Sequence, residues 1–480
     1  MEKDTHTHTH THTVRYEPNT SVLFLNHASI LLKKGDRYLL TDPWHQRPSF
    51  GSWLPTFTQY IHPTYIAALG KKLSILISHG HDDHCDDDLL SIFDKDIEIV
   101  TADFNAPSVL NRLKKLGFTN IRTANREGLR ISNGFTIKSY INPIRSLDDA
   151  TYTIDTDNGF VVHCNDNWFE FDDDTFEKIK IDIRKYSPKN VAFFSQTNST
   201  SGYPLNYKNF TEEEKLKILN TKVKGMVVQG MKNAFKLGLN SFYSYAGFAS
   251  IFIKDKPEYL ELGLIPTGKY IRDYLLDDDE SKKLSSVINV KDFYPGDTLN
   301  LDNGEITNAF ISNTDYTDTQ LKNVTLSYYE KYGIKNQCDS YKAQAIESFD
   351  ENKFLYFLKN LNDFAERKIK SDGIVFETIL GKIFEIEIED IDVIGYVAFG
   401  EDARLEKSSK KPNKRMTVKS VVFTEVLNGN ILFENLYTGY EAEWERFPKN
   451  EYNRDIVMFI VMFSYIYKNR LSALYSSKTA

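Results

Sequence analysis

The chain has 480 residues, more than one ordinary hydrophobic core accommodates, so two domains or one large domain with an added module is expected. Apolar residues make up 41% and charged residues 26%, a balance that excludes global disorder. With 59 basic against 67 acidic residues, a net charge of -8, nothing in the bulk charge draws the chain to nucleic acid or an anionic membrane. A small-molecule substrate is the expected partner, and an acidic one would need a local basic pocket.

In chain order, Met1 to Thr13 alternates His with Thr like a purification tag or low-complexity tail and is set aside from the fold. Val22–Leu25, Ile30–Leu32 and Tyr38–Leu40, with a Lys33-Lys34-Gly35-Asp36 turn, predict a β-meander. His45 to Pro63 has no clean period and reads as a long ordered loop. Leu73–Ile77 is a compact strand that runs straight into a histidine cluster, with a helix starting near Leu89. A strand at Ile97–Thr101, a helix over Ala106–Leu116 and further strands from Ile121 to Tyr152 follow. Buried strands at Phe160–Val162 and Val191–Phe194 each end in polar side chains, and Glu212–Phe235 is helical.

A composition shift near residue 320 divides a domain over 20–320 from a smaller α+β module over 321–480. The module is expected to hold helices over Tyr328–Ile346 and Lys353–Ile369, with strands at Ile383–Ile388, Val418–Phe423 and Ile431–Phe433. The basic stretch Lys407–Arg415 is expected to be a solvated loop, and Ile456–Phe463, too short to span a membrane, a buried core element. Only Cys85, Cys164 and Cys338 are present, which rules out a disulfide framework and makes a reducing, cytoplasmic setting the expectation. Nothing in the sequence sets an oligomeric state.

The chemistry concentrates in His79, His81, Asp83 and His84. Imidazole nitrogen and carboxylate oxygen hold divalent first-row metals, and four such donors within six residues imply two adjacent metal positions, with Asp83 also a candidate for catalysis. Ser78-His79-Gly80-His81-Asp82-Asp83-His84 resembles the metal-binding motif of the metallo-β-lactamase superfamily, which implies an αββα sandwich with the site at one edge. Within that superfamily, Asn26-His27-Ala28-Ser29, Thr41-Asp42-Pro43-Trp44, Ser201-Gly202-Tyr203-Pro204 and Ser244-Tyr245-Ala246-Gly247-Phe248 resemble the lactamase-like part of CMP-N-acetylneuraminate hydroxylases over about residues 20 to 250. Thr438-Gly439-Tyr440, Trp444-Glu445-Arg446 and Tyr452-Asn453 carry a fainter likeness. The Rieske iron–sulfur domain of those hydroxylases needs paired Cys and His motifs, and this sequence has none. If an electron donor is required, it is expected to be a separate protein, or the metal site itself manages the electrons.

By that resemblance Asp149, or its neighbour Asp148, joins His79 and His81 at one metal, and Asp166 bridges to a second held by Asp83 and His84. The late histidine of many superfamily members has no counterpart, because His163 is the last in the chain. His27 is a candidate proton donor or substrate contact, with a satisfied core histidine as the alternative. Asp42 is a candidate anchor that orients the ligand imidazoles, with a plain turn residue as its alternative. Two histidines with one carboxylate favour iron and molecular oxygen, while zinc also uses this set. The leading expectation is thus an iron-dependent oxygenase (a hydroxylase) of a polar, sugar- or nucleotide-bearing substrate. A zinc hydrolase of an ester, amide or phosphodiester and a non-catalytic metal-binding module are the rivals.

Overall fold

The computed structural model describes residues 19–45, 47–56, 61–141, 149–167, 171–198, 201–253, 255–308, 318–333, 349–372, 378–451 and 453–476. Asp148, Tyr452 and the His-Thr tail lie outside them.

Period-2 alternation of apolar residues sorts the first domain into layers, because successive strand side chains point to opposite faces. Val22, Phe24, Leu76, Val100, Val161, Phe194 and Tyr243 meet in a core between two sheets. Their chain neighbours Leu25, Ile75 and Ile99 instead face Leu89, Val109 and Leu113 on helices outside the first sheet. Val162, Phe193 and Phe242 face Phe176, Ile179, Val223 and Val227 on helices outside the second. Among the described residues the result is an αββα sandwich of an eight-stranded and a seven-stranded sheet. Strands Arg37–Thr41, Leu73–Leu76 and Glu98–Ala102 run parallel in the first sheet, and Phe160–His163, Val191–Gln196 and Ser241–Tyr245 in the second. Parallel strands all end at one edge, so their C-terminal loops are gathered there.

The C-terminal module is a five-stranded sheet built around Ile383–Ile388, which pairs antiparallel with Val393–Ala398 and parallel with Lys414–Val418. Helices Glu351–Asp372, Ser420–Leu427 and Arg454–Ser476 supply Phe357, Phe423, Phe459 and Phe463 to its core. Among the described residues no helix is long and apolar enough to cross a membrane.

Four details differ from the sequence expectation. The strand expected over Val418–Phe423 stops at Val418, because Asp390 accepts hydrogen bonds from Ser420 N and Oγ (both 2.7 Å) and a helix starts there. Ile431–Phe433 forms no strand; Phe433 begins a short helix, Phe433–Tyr437. Helix Asp318–Tyr332 straddles the expected domain boundary and packs on the first domain, where the Thr325 and Tyr329 hydroxyls donate to Thr56 O and Pro55 O. The basic stretch is not wholly solvated, since Lys414 is buried with Nζ 5.4 to 5.7 Å from the ring centres of Tyr207, Trp444 and Tyr437.

Burial, reinforced by Arg446 on the paired strand, lowers the Lys414 ammonium to about 7. The unfolded chain, with an ordinary lysine pKa, then holds a proton that the folded protein releases between about pH 7 and the usual lysine range near 10. Stability should therefore rise with pH through that window. Urea melts across it should show this rise in the wild type and lose it in Lys414→Met.

Candidate metal centre

The collected strand ends carry the site. His27 follows strand Thr20–Asn26, Asp42 follows Arg37–Thr41, and Ser78 to His84 follow Leu73–Leu76. Asp149 sits at the start of the antiparallel strand Ala150–Asp155, and Asn165 and Asp166 follow Phe160–His163. His27, Asp42, Asn165 and Ala246 all have positive φ, between 39° and 54°, with no glycine among them. This backbone region costs on the order of 1–3 kcal/mol per residue and persists where surrounding bonds enforce it. One such bond runs from Ala246 N to His27 O (2.8 Å).

Asp42 is fully buried and organises the motif loop. Its Oδ1 accepts from Ser78 N (2.7 Å), and its Oδ2 accepts from Ser78 Oγ (2.7 Å) and His84 Nδ1 (3.2 Å). His84 Nε2 is thereby turned toward Asp83 Oδ2 (3.5 Å) and Asp166 Oδ1 (3.7 Å). His27 Nε2 approaches the same Asp83 oxygen from the other side, at 3.3 Å. The second Asp83 oxygen accepts from Ser49 Oγ (3.1 Å). The Nε2 atoms of His27 and His84 are buried without a well-directed hydrogen bond.

His79 lies alongside. Its Nε2 is 2.7 Å from His81 Nδ1 and 4.0 Å from Asp166 Oδ2. Asp166 therefore presents one oxygen to His84 and the other to His79, while Gln196 Nε2 donates to its Oδ1 (3.0 Å). Asp149 sits on the opposite side of the His79 ring, 3.7 Å from Nδ1, and accepts from Asn165 Nδ2 (3.0 Å). On the outer side of the loop Arg112 donates to Gly80 O, Asp82 Oδ1 (2.6 Å) and Asp87 Oδ1 (2.7 Å), bracing the turn from helix Ser108–Lys115.

Among the described residues two sets of three donors result, each able to hold a metal ion: His27, Asp83 and His84, and His79, His81 and Asp166. The division expected from sequence differs, because it placed Asp149 with His79 and His81 and left His27 outside both sets. The electrostatics match clustered donors. Burial and the neighbouring His84 and His81 hold His79 below the ordinary histidine range. Burial alone would raise Asp83, but His84 and His27 outweigh it and keep its pKa well below the usual carboxylate range. Burial opposes a proton on His84, yet Asp83, Asp166 and Asp42 raise its pKa. Burial raises Asp166. Buried donors of opposite charge, some without well-directed hydrogen bonds, are what a cation site requires.

Among the described residues, Cys85 and Cys164 take no part. Cys85 and Cys164 are buried, and burial pushes the Cys85 thiol up to about 12 and Cys164 higher still, so neither is a thiolate near neutrality. His163 packs between Thr41 Oγ1 (3.1 Å) and Tyr245 Oη. Sequence reasoning missed Ser49, Asn165, Gln196 and Arg112. They are ordinary polar residues whose role comes from tertiary neighbours, and only the polar ends of the buried strands hinted at Asn165 and Gln196.

Residues 21–184 match the Beta-lactamase superfamily domain family, so the fold class is a metallo-β-lactamase αββα sandwich followed by a smaller α+β module. Local similarity links the chain to a proposed Rieske 2Fe-2S iron-sulfur protein of Mycobacterium tuberculosis, 35% identical over 98 residues, covering 20% of this chain and 19% of that protein. The match to its Mycolicibacterium smegmatis counterpart is 33% over 100 residues, covering 21% and 19%. The chain thus spans about a fifth of the length of the curated relatives it matches. Among solved structures, a proposed metal-dependent hydrolase from Veillonella parvula aligns at 15% identity and TM-score 0.38, covering 59% of this chain and 100% of that one. CmlA, a diiron β-hydroxylase from Streptomyces venezuelae, aligns at 14% identity and TM-score 0.34, covering 59% and 54%. An isothiocyanate hydrolase from Delia radicum gut bacteria aligns at 13% identity and TM-score 0.34, covering 58% and 98%.

Asp42→Ala should remove the anchor of Ser78 and His84 and leave their donors unsatisfied in a buried site. Titration with cobalt(II), followed optically, should show affinity weakened by about 10- to 100-fold, the range for losing an outer partner of a metal ligand.

Proposed function

We propose that the chain is a two-metal oxygenase that hydroxylates a polar substrate, with iron held by His79, His81 and Asp166 and by His27, Asp83 and His84. The observation that carries this reading is that both donor sets consist of two histidines and one carboxylate. That arrangement is the ligand set of non-haem iron oxygenases, and these residues would hold a ferrous ion. The chemistry that iron supplies in such a set is activation of molecular oxygen toward a C–H bond.

The chain's own residues have distinct tasks. Asp166, with one oxygen toward His84 and the other toward His79, would be the carboxylate shared by the two sets, and Asp83 places one oxygen against both His27 and His84. Asp42, Ser49 and Gln196 hold His84, Asp83 and Asp166 in their rotamers. Ser78 Oγ (3.1 Å) and Asn165 Nδ2 (3.0 Å) meet His79 Nδ1 and orient that ring, and Asp149 holds Asn165 in place. His81 and Asp166 are the partly exposed members and mark the side from which substrate approaches. A sugar- or nucleotide-bearing substrate rests on the resemblance to CMP-N-acetylneuraminate hydroxylases. An iron–sulfur electron donor is supported by the short likeness to proteins described as Rieske proteins.

Zinc in a two-histidine, one-carboxylate set activates water for hydrolysis, so the same geometry has a hydrolytic rival. Anaerobic loading with ferrous iron followed by an oxygen pulse separates the two. The oxygenase reading predicts about two irons per chain, oxygen consumption and a new optical band, all lost in His81→Ala. Retention of zinc alone, inert toward oxygen but active on ester or phosphodiester substrates, would establish the hydrolase. Tight binding of metal with neither activity would establish a binding module.

A further inference from the structure

The C-terminal module touches the first domain at two loops, one that contacts the candidate donors His27, His81 and Asp83 and one downstream of the strand that ends in Gln196. In the first loop, Trp44 packs edge-on against His27 (5.2 Å between ring centres), Ser49 Oγ donates to Asp83, and Phe50 packs edge-on against His81 (5.3 Å). This loop closes on itself as a tight turn, with Ser49 and Trp53 exchanging both backbone hydrogen bonds (2.9 Å each) and Phe50 in the left-handed region at φ 49°.

The back of that turn rests on Thr438-Gly439-Tyr440. Trp53 Nε1 donates to Thr438 O (2.8 Å) and Ser52 Oγ donates to Gly439 O. A Cβ on Gly439 would overlap the Phe50 carbonyl oxygen and Asn435 O, so only glycine admits this approach. Tyr440 leaves the module's own core and is buried in that of the first domain, beside Tyr259 at 5.3 Å.

The second loop follows Gln196, the donor to Asp166. Residues 206–208 join the edge of the module's sheet: Trp444 N donates to Asn206 O (2.8 Å) and Lys208 N donates to Trp444 O (2.9 Å). Asn206 Nδ2 donates to Tyr437 O (2.9 Å), and the Tyr207 ring is buried in the module's core. One stretch of the module, 437–444, therefore grips both loops through directed backbone hydrogen bonds, which set position where apolar contact alone permits sliding.

We infer that the C-terminal module is a positioning element of the metal centre, acting through the contact of Gly439 with the Phe50 carbonyl to fix Ser49 on Asp83 and Phe50 on His81. This rests on the two-metal reading above. Gly439 is a positioning residue that touches no donor itself.

The test compares the full-length chain with Gly439→Ala, with Ser52→Ala and Trp53→Phe, which each remove one hydrogen bond without adding bulk, and with Leu358→Ala, which disturbs only the module's own core. Cobalt(II) is titrated into each folded protein, and affinity and d–d spectrum are read beside the melting temperature. Gly439→Ala should weaken cobalt binding about tenfold or more and alter the spectrum, and the two hydrogen-bond variants should shift it less in the same direction. Leu358→Ala should lower the melting temperature and leave affinity and spectrum unchanged. Wild-type binding and spectrum in both Gly439→Ala and the hydrogen-bond variants would overturn the inference, as would an equal change in Leu358→Ala. Should Gly439→Ala fail to fold, the hydrogen-bond variants decide alone. Failure of the wild type to bind cobalt would instead overturn the metal reading, and with it this inference.

Discussion

A carboxylate with no solvent contact is costly to bury unless every oxygen is matched by donors, and Asp42 meets that condition with Ser78 N, Ser78 Oγ and His84 Nδ1. The rest of the site depends on this match. It fixes Ser78, the second residue after the strand, turns His84 so that Nε2 faces Asp83 and Asp166, and sets the path on which His79 and His81 follow. Asp42 pays for its place with a left-handed backbone, as do His27 and Asn165 on neighbouring strand ends. Each is held there by bonds from other strands, so the donors converge only when both sheets are in register.

The layered core supplies that register. A one-residue slip of a strand would exchange Leu76 with Ile75, or Phe194 with Phe193, between an inter-sheet and a helix-facing environment. The apolar alternation therefore locks the strands axially, and the polar residues just past their ends inherit that precision. Arg112 completes the support by holding the exposed side of the loop from a helix, leaving His81 and Asp166 as the open flank.

Much of this was legible in the sequence where the signal is local. The donor density of His79 to His84, the period-2 strands and the position of Asp166 after a buried strand all follow from short stretches of chain. The grouping of the candidate donors into two sets was not, because it depends on which carboxylate oxygen faces which ring across two sheets. His27 shows the difficulty, since an isolated histidine after a strand carries no mark of the company it keeps. The same holds for Ser52 and Gly439, which meet across 387 positions of sequence. The misread strand at Val418–Phe423 has a local cause: β-branched residues imitate a strand, and the cap that makes them helical comes from Asp390. Lys414 was hidden by its charged neighbours, which gave the whole stretch the look of a solvated loop.

The central claim is that Asp166 joins two sets of two histidines and one carboxylate into a single binuclear centre. X-ray absorption fine structure of the metal-loaded protein tests it most directly. The account predicts a metal–metal vector of about 3.5–4 Å, with imidazole scattering consistent with two histidines per metal, and loss of that vector in Asp166→Ala. A mononuclear spectrum at full occupancy, or a metal–metal vector that survives Asp166→Ala, would contradict it.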